Sequence, residues 1–174
     1  MPWQLDPNHT EVGFEVRHMM VSKVRGRFTD VAADIHLDEA QPAKSRVEAT
    51  IGAASVTTGA VDRDGHLRSA DFFDAEQYPH ITFRSTNVQP AGKGAFTVAG
   101  TLAIRGVEQS VTLDGQFDGP ATDPWGNTRV GFSLTGDIDR EAFGLTWNQT
   151  LEAGGVLVAK QVKLQIDAQV IAAA

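Results

Sequence analysis

Apolar and polar residues alternate along most of the chain, and this period-two pattern predicts β-strands. In the clearest segment, residues 162–170, valine, leucine, isoleucine and alanine share one face while lysine, glutamine and aspartate share the other. Such alternation is typical of antiparallel sheets with one buried face, whereas parallel strands read as continuous apolar runs separated by helices. About eight such strands, joined by glycine-containing hairpin signals, predict a single all-β barrel or sandwich.

Glycines recur at positions that the alternation assigns to the inward face, namely Gly100, Gly115 and Gly136. A glycine inside a strand marks a bend, a bulge or a close approach of neighbouring groups. We therefore predict that these strands bend sharply, as strands must when a sheet closes into a barrel.

The stretch VDRDGHLRSADFF, residues 61–73, interrupts the alternation with a cluster of charged residues. It predicts one or two helical turns, with Asp62 placed to cap them and with Asp64 and Arg68 four residues apart on one face. A calcium loop starting at Asp62 is excluded, because Leu67 and Phe73 occupy the positions that need a glycine and an acid.

The same cluster also lacks the spacing of a zinc site, since His66 and His80 stand fourteen residues apart with no ligand motif around either. We therefore predict no metal and no cofactor. The expected role is a charged clip held by local ion pairs. The residues expected to form those pairs are Arg63, Asp64, Arg68 and Asp71.

Composition narrows the class of protein. The 174 residues suit one domain, spanning residues 1–174, and the net charge of −7 with no basic stripe argues against nucleic-acid binding. There is no cysteine, no G-x-S-x-G nucleophile motif and no phosphate-binding glycine loop, so no catalytic residue is predicted. No apolar run of about eighteen residues and no secretory signal are seen, and a cytoplasmic location is expected. A periplasmic or secreted location is the alternative if a signal has been removed.

A barrel of about eight strands either fills its interior with side chains or leaves room for one small ligand. Met19 and Met20 favour a cavity, because thioethers adapt to flexible apolar partners. Trp125 and Trp147 add large apolar surface in loops, and His18 faces inward if the alternation of its strand holds. The residues alone do not decide between a hollow barrel and a filled one.

Four sequence blocks, in order along the chain, resemble those of the YceI-like family, the lipocalin-like polyisoprenoid-binding proteins of bacteria. The blocks are WQLDPNHTEVGFEVRHMMVSKVRGRF, RDGHLRSADFFDAEQYPHITFRST, DPWGNTRVGF and IDREAFGLTWN. The resemblance implies a lipocalin-like antiparallel barrel with a long isoprenoid-type or other amphiphilic lipid in an apolar lumen. It also implies that residues 61–73 form a helical segment beside the barrel, with Phe72 and Phe73 directed into apolar surroundings.

From these inferences we predict a non-catalytic protein that binds, carries or sequesters an isoprenoid-like or fatty lipid. An enzyme acting on an isoprenoid-like substrate and a filled barrel serving as an interaction module are the alternatives. Membrane contact is expected to be transient, and the sequence leaves a monomer and a homodimer open. The residues expected to line the lumen and its mouth are Phe14, Val16, His18, Met19, Met20, Val24, Arg25, Phe28, Phe72, Phe83, Phe132, Leu134 and Trp147.

Overall fold

The computed structural model describes residues 3–149, 151 and 157–172, which contain eleven β-strands and one α-helix. The strands are β1 Gln4–Leu5, β2 Glu11–His18, β3 Ser22–Phe28, β4 Val31–His36, β5 Arg46–Gly52, β6 Val56–Thr57, β7 His80–Gly92, β8 Ala95–Ile104, β9 Val107–Thr122, β10 Thr128–Asp139 and β11 Val158–Ala172. The helix, α1, spans Val61–Arg68. No helix among the described residues is both long enough and apolar enough to cross a membrane.

The strands form one antiparallel sheet, which confirms the all-β antiparallel prediction. Neighbouring strands follow the order β4-β5-β7-β8-β9-β10-β11-β2-β3-β6. The expected number of about eight was too low. Two of the additional strands, β1 and β6, have only two residues each, too few for any periodicity to show. The third is β3, in which Lys23, Arg25 and Arg27 alternate with Val24, Gly26 and Phe28, a pattern that the sequence reasoning missed.

The sheet curls because the N-terminal residues of the chain connect strands that are far apart in the sheet order. Strand β1 pairs with the C-terminal part of β11, and Trp3 forms an isolated bridge with Ile35 of the edge strand β4. One concave face results. Two buried apolar clusters pack on it, one around Ile138 and Phe143 and the other around Val130 and Trp3. Since Val130 and Ile138 lie near opposite ends of β10, these clusters lie toward opposite ends of the curled sheet.

The charged clip lies where the sequence predicts it, in α1 and the residues after it, but its contacts differ from the predicted ones. Asp62 does not cap the helix, because Ala60 occupies the N-cap position and contributes no side-chain hydrogen bond. Asp64 is the buried anchor instead, and its Oδ1 accepts a 2.7 Å hydrogen bond from the backbone N–H of Thr58. The hydroxyl of Thr58 also donates to Asp64, and these bonds lower the pKa of the carboxyl group.

The expected ion pairs among Arg63, Asp64, Arg68 and Asp71 were wrong. Arg63 donates to the hydroxyl and carbonyl oxygens of Thr58, at 2.7 and 3.0 Å. Asp71 instead contacts Nε2 of His66 at 2.9 Å. Phe72 is buried in the core, and the Phe73 ring packs edge-on against Phe28 with 5.6 Å between centroids. Hydrogen bonds to Thr58, the buried Phe72 and the half-buried Phe73 therefore hold this segment on the sheet.

Candidate functional site

A cavity of about 960 Å³ opens along the concave face of the sheet. This volume is at the upper end of the roughly 300–1,000 Å³ common for small-molecule sites. Its wall is built almost entirely from apolar side chains of the inward-facing strand positions, together with residues of the α1 segment and of the loop before β11. A hollow barrel, not a filled one, is therefore the observed state.

The structure brings ten of the thirteen predicted residues together in the cavity wall. They are Phe14, Val16, His18, Val24, Phe28, Phe72, Phe83, Phe132, Leu134 and Trp147. Eight of the ten lie on strands, where period-two alternation assigns the same face to every second residue. Phe72 and Trp147 lie outside the strands. That these ten residues contact a ligand stays a prediction.

The other three predicted residues, Met19, Met20 and Arg25, are not part of the wall. The two methionines form the central positions of the turn between β2 and β3 and are 49% and 55% exposed. Arg25 follows the inward-facing Val24 and so points to the outer face, where its Nε donates to Glu15 Oε1 at 3.0 Å. Of the two loop tryptophans, Trp147 lines the cavity and Trp125 is 81% exposed.

Phenylalanine rings in the wall lie over inward-facing glycines, a feature that the sequence reasoning missed. A Cβ atom added to any of these glycines would overlap a phenyl ring; at Gly100 it would be 2.5 Å from Cζ of Phe83. The three pairs are Phe14 over Gly26, Phe83 over Gly100 and Phe96 over Gly115. Because each ring lies where a glycine side chain is missing, it lies along the wall instead of projecting across the lumen. The glycines therefore help to keep the barrel hollow.

An aromatic cluster joins α1 to the loop that precedes β11. The His66 ring meets the Phe72 ring at 5.0 Å and the Trp147 ring at 4.6 Å between centroids, both edge-to-face. Edge-to-face contacts of this kind add to the stabilisation from buried area. All three rings line the cavity, so the α1 segment is both a clip and part of the wall.

Arg140 is a cationic group buried in the cavity wall, with 3% of its surface exposed. Its guanidinium donates to the carbonyl oxygens of Leu145, Ala159 and Val158, at 2.6, 2.8 and 3.2 Å. Burial lowers the pKa of this side chain, although Glu141 and Asp139 nearby act in the opposite direction. The three bonds tie the loop after β10 to the start of β11. No feature of the sequence block IDREAF indicated this role.

A second polar cluster lies outside the cavity wall, where β10 begins. Arg129 donates to Asp6 Oδ2 through Nη1 and to Asp123 Oδ2 through Nε, both at 2.8 Å. Its hydrogen bond is the main reason that the pKa of Asp123 falls to about 2, and it also lowers the pKa of Asp6. His9 Nδ1 contacts the same Asp6 oxygen at 2.8 Å. The cluster fixes the N-terminal segment and the β9–β10 turn to one another.

The cavity wall is mainly apolar, and its carboxyl and imidazole groups are those of Asp38, Glu39, Asp62, His18 and His66. Asp6, Asp64 and Asp123, the carboxyl groups with lowered pKa values, are not part of its wall. Within residues 3–149, 151 and 157–172, no group of three or more histidine, aspartate or glutamate side chains is placed to hold a metal ion.

A curled antiparallel sheet around a long apolar cavity defines a lipocalin-like class of barrel proteins. Within that class, a sequence model of the YceI-like domain matches residues 3–170, so the chain belongs to the YceI-like family. A UPF0312 protein of Staphylococcus aureus strain USA300 is 36% identical over 167 residues, covering 94% of each chain.

Solved structures share this fold. BcnA of Burkholderia cenocepacia superposes with a TM-score of 0.83 at 25% identity, over 95% of this chain and 98% of that one. A polyisoprenoid binding domain from Saccharophagus degradans superposes with a TM-score of 0.68 over 98% of both chains. At 17% identity, the latter comparison concerns the fold alone.

Proposed function

We propose that this protein binds an elongated apolar or amphiphilic lipid of the isoprenoid type in its cavity, and carries or sequesters it without chemical change. The observation that carries the proposal is the cavity itself, about 960 Å³ with a nearly continuous apolar wall. Membership of the YceI-like family supports a lipid ligand. The observed cavity also argues against the filled-barrel interaction module.

The volume limits how much of a lipid can be enclosed. A carbon group of a prenyl chain is similar in size to a water molecule, whose share of liquid volume is about 30 Å³. A cavity of about 960 Å³ therefore encloses about 30 such groups, or about six isoprene units. Shorter chains leave part of the wall uncovered, and longer chains extend beyond the cavity into solvent.

Apolar burial supplies enough free energy for such binding. Each buried methylene contributes about 0.8 kcal/mol, so a dozen contribute about 10 kcal/mol before the costs of association and of ordering a flexible chain. Water exclusion and dispersion have no directional preference. We therefore expect affinity to increase with chain length up to about six isoprene units and then to level off, with weak discrimination among chains of equal length.

The direct test compares two adjacent positions on β11 that face opposite sides of the sheet. Leu164 lines the cavity, whereas Gln165 is exposed on the outer face. Leu164→Asp should weaken binding more than about 100-fold, because lipid would have to desolvate a carboxyl group that has no partner. Gln165→Asp should bind like the unchanged protein.

The measurement is displacement of a fluorescent fatty acid by polyprenols of increasing length, with circular dichroism to confirm that both variants fold. Equal affinity of folded Leu164→Asp and the unchanged protein would contradict binding in the cavity. Mass spectrometry of the polyprenol recovered after incubation separates carriage from catalysis. Unaltered lipid supports carriage, and a mass change favours the enzyme alternative.

A further inference from the structure

The turn between β2 and β3 exposes three apolar side chains on a strained backbone. Val21 N–H donates to His18 O at 3.3 Å, and the residues between them, Met19 and Met20, have φ of 55° and 64°. Positive φ at both central positions is the requirement of a type I′ turn, which strongly prefers Asn-Gly. Methionine carries a steric penalty at each position. The side chains of Met19, Met20 and Val21 are nevertheless 49%, 55% and 81% exposed.

The strands beside this turn show a second local conflict. Arg17 and Lys23 face each other directly in the antiparallel register, and like charges in that relationship destabilise a sheet. Glu15 lies two pairs further from the turn, with its carboxylate 3.9 Å from Lys23 Nζ and 3.0 Å from Arg25 Nε. Apolar side chains at the tip thus stand in front of two adjacent cations. Violations of local preference in natural proteins concentrate at functional sites.

The turn also lies at the rim of the cavity. Met19 N–H donates to the carbonyl oxygen of Leu157 at 2.7 Å, and both Leu157 and its neighbour Val158 line the cavity. His18, the residue before the turn, pairs with Val158 and lines it as well. One side of the tip therefore joins the cavity wall, and the other side faces solvent.

We propose that the Met19–Val21 tip docks on an anionic lipid bilayer, so that lipid passes between the bilayer and the cavity at this rim. This inference rests on the proposed function. Apolar side chains that enter the acyl boundary, with lysine and arginine behind them at the level of anionic headgroups, form the usual pattern of interfacial binding. Charge distinguishes an anionic bilayer from a symmetric tip-to-tip contact with a second copy of this chain, because the tip of that copy would again present Arg17 and Lys23.

The chain offers a variant that removes two of the three apolar side chains of the tip, and leaves Val21, without weakening the fold. Met19→Asn with Met20→Gly installs the preferred type I′ pair, so its melting temperature should equal or exceed that of the unchanged protein. Its matched control is Trp125→Asn, which removes an 81% exposed apolar side chain from the β9–β10 turn. A third variant, Arg17→Gln with Lys23→Gln, removes the two cations.

Two measurements on these proteins separate docking from lipid binding. The first is equilibrium affinity for a fluorescent polyprenol added from ethanol, without vesicles. The second is the rate at which the same polyprenol transfers from phosphatidylcholine vesicles containing phosphatidylglycerol. The Met19→Asn, Met20→Gly variant should retain its affinity and transfer about tenfold more slowly, since interfacial binding scales with buried apolar area. The cation variant should lose the acceleration by phosphatidylglycerol and its salt dependence.

Each outcome supports or overturns the docking proposal. Failure of the unchanged protein to bind polyprenol in either assay would overturn the proposed function and, with it, this inference. Binding with equal transfer rates in the unchanged protein and the tip variant would overturn docking alone, as would an equal slowing by Trp125→Asn. A tip variant that changes only the oligomeric state would identify the tip as a contact between copies and overturn the bilayer.

Discussion

The phenyl ring of Phe14 lies directly over Gly26, its antiparallel partner on the next strand, and occupies the space that any Cβ atom on residue 26 would take. Two further rings in the wall lie over glycines of neighbouring strands in the same way. The contact gives a large apolar residue a place in the wall without filling the lumen. The glycines beneath these rings therefore help to keep the lumen empty, and substituting one of them tests this role.

Gly115→Ala should shrink the cavity and destabilise the fold. The added methyl group would overlap the Phe96 ring and lie 2.8 Å from Cδ2 of Leu134, so the ring must move toward the lumen. Overpacking of this kind costs about 1–3 kcal/mol. The longest enclosed polyprenol should shorten in the displacement assay. Gly131→Ala on β10 is the control, because nothing lies within 4 Å of its added methyl group. Equal losses in both variants would contradict the ring-over-glycine explanation.

Asp64→Ala should destabilise the clip much more than Arg68→Ala. Asp64 is buried and accepts hydrogen bonds from the backbone and hydroxyl of Thr58, and leaving such donors unpaired costs about 1–3 kcal/mol. Within the described part of the chain Arg68 forms no side-chain hydrogen bond or salt bridge, and its attraction for Asp64 is the smallest named cause of that carboxyl's lowered pKa, so its removal should change the free energy of unfolding by less than about 0.5 kcal/mol. Urea unfolding of both variants measures the difference, and a larger loss for Arg68→Ala would refute this assignment.

Arg140→Lys should be strongly destabilising although it keeps the charge. A lysine ammonium lacks the planar fork that reaches the three carbonyl oxygens of Leu145, Val158 and Ala159 together. Leaving two of these buried acceptors unpaired lowers the free energy of unfolding by about 2–4 kcal/mol. Chemical denaturation provides the value. A loss no greater than that of an exposed substitution such as Lys163→Arg would show that the three bonds do not hold the loop.

Acid should weaken the fold through the Arg129 cluster. Arg129 lowers the pKa of Asp123 from 3.8 to about 2, and it lowers the pKa of Asp6 in the same direction. Both carboxyl groups have lower pKa values in the folded protein than in the unfolded chain. Their contribution to stability is therefore complete above the pKa of the unfolded chain, near 4, and is lost as the pH falls through the pKa of the folded protein. The melting temperature should therefore fall between about pH 4 and pH 2.

The Arg129→Gln variant should have a lower melting temperature at neutral pH and a smaller further decrease over the acid range. The reason is that its two aspartates would titrate nearer to their unfolded pKa values. Thermal unfolding followed by circular dichroism from pH 2 to pH 7 tests both statements. Parallel curves for the variant and the unchanged protein would show that this cluster does not contribute the acid dependence.

The sequence by itself determined which residues share a face. Alternation along β10 assigned Phe132 and Leu134 to the interior, where the structure places them. The prediction for Arg25 failed because that residue was chosen for its charge, although its place next to the inward-facing Val24 directs it to the outer face. Local periodicity is reliable here because a strand has only two faces, and a single register determines both of them.

Tertiary structure decided everything that depends on residues far apart in the chain. The lumen could have been filled or hollow, and the choice depends on how far the curled sheet separates its inward faces and where each ring lies over a neighbouring glycine. The same limit applies to Arg140, whose acceptors include Val158, and to Arg129, which meets Asp6 across the sheet. Periodicity specifies the direction of a side chain and not its partner, because the partner is set by strand order and curvature. Those are properties of the assembled sheet, not of any one strand.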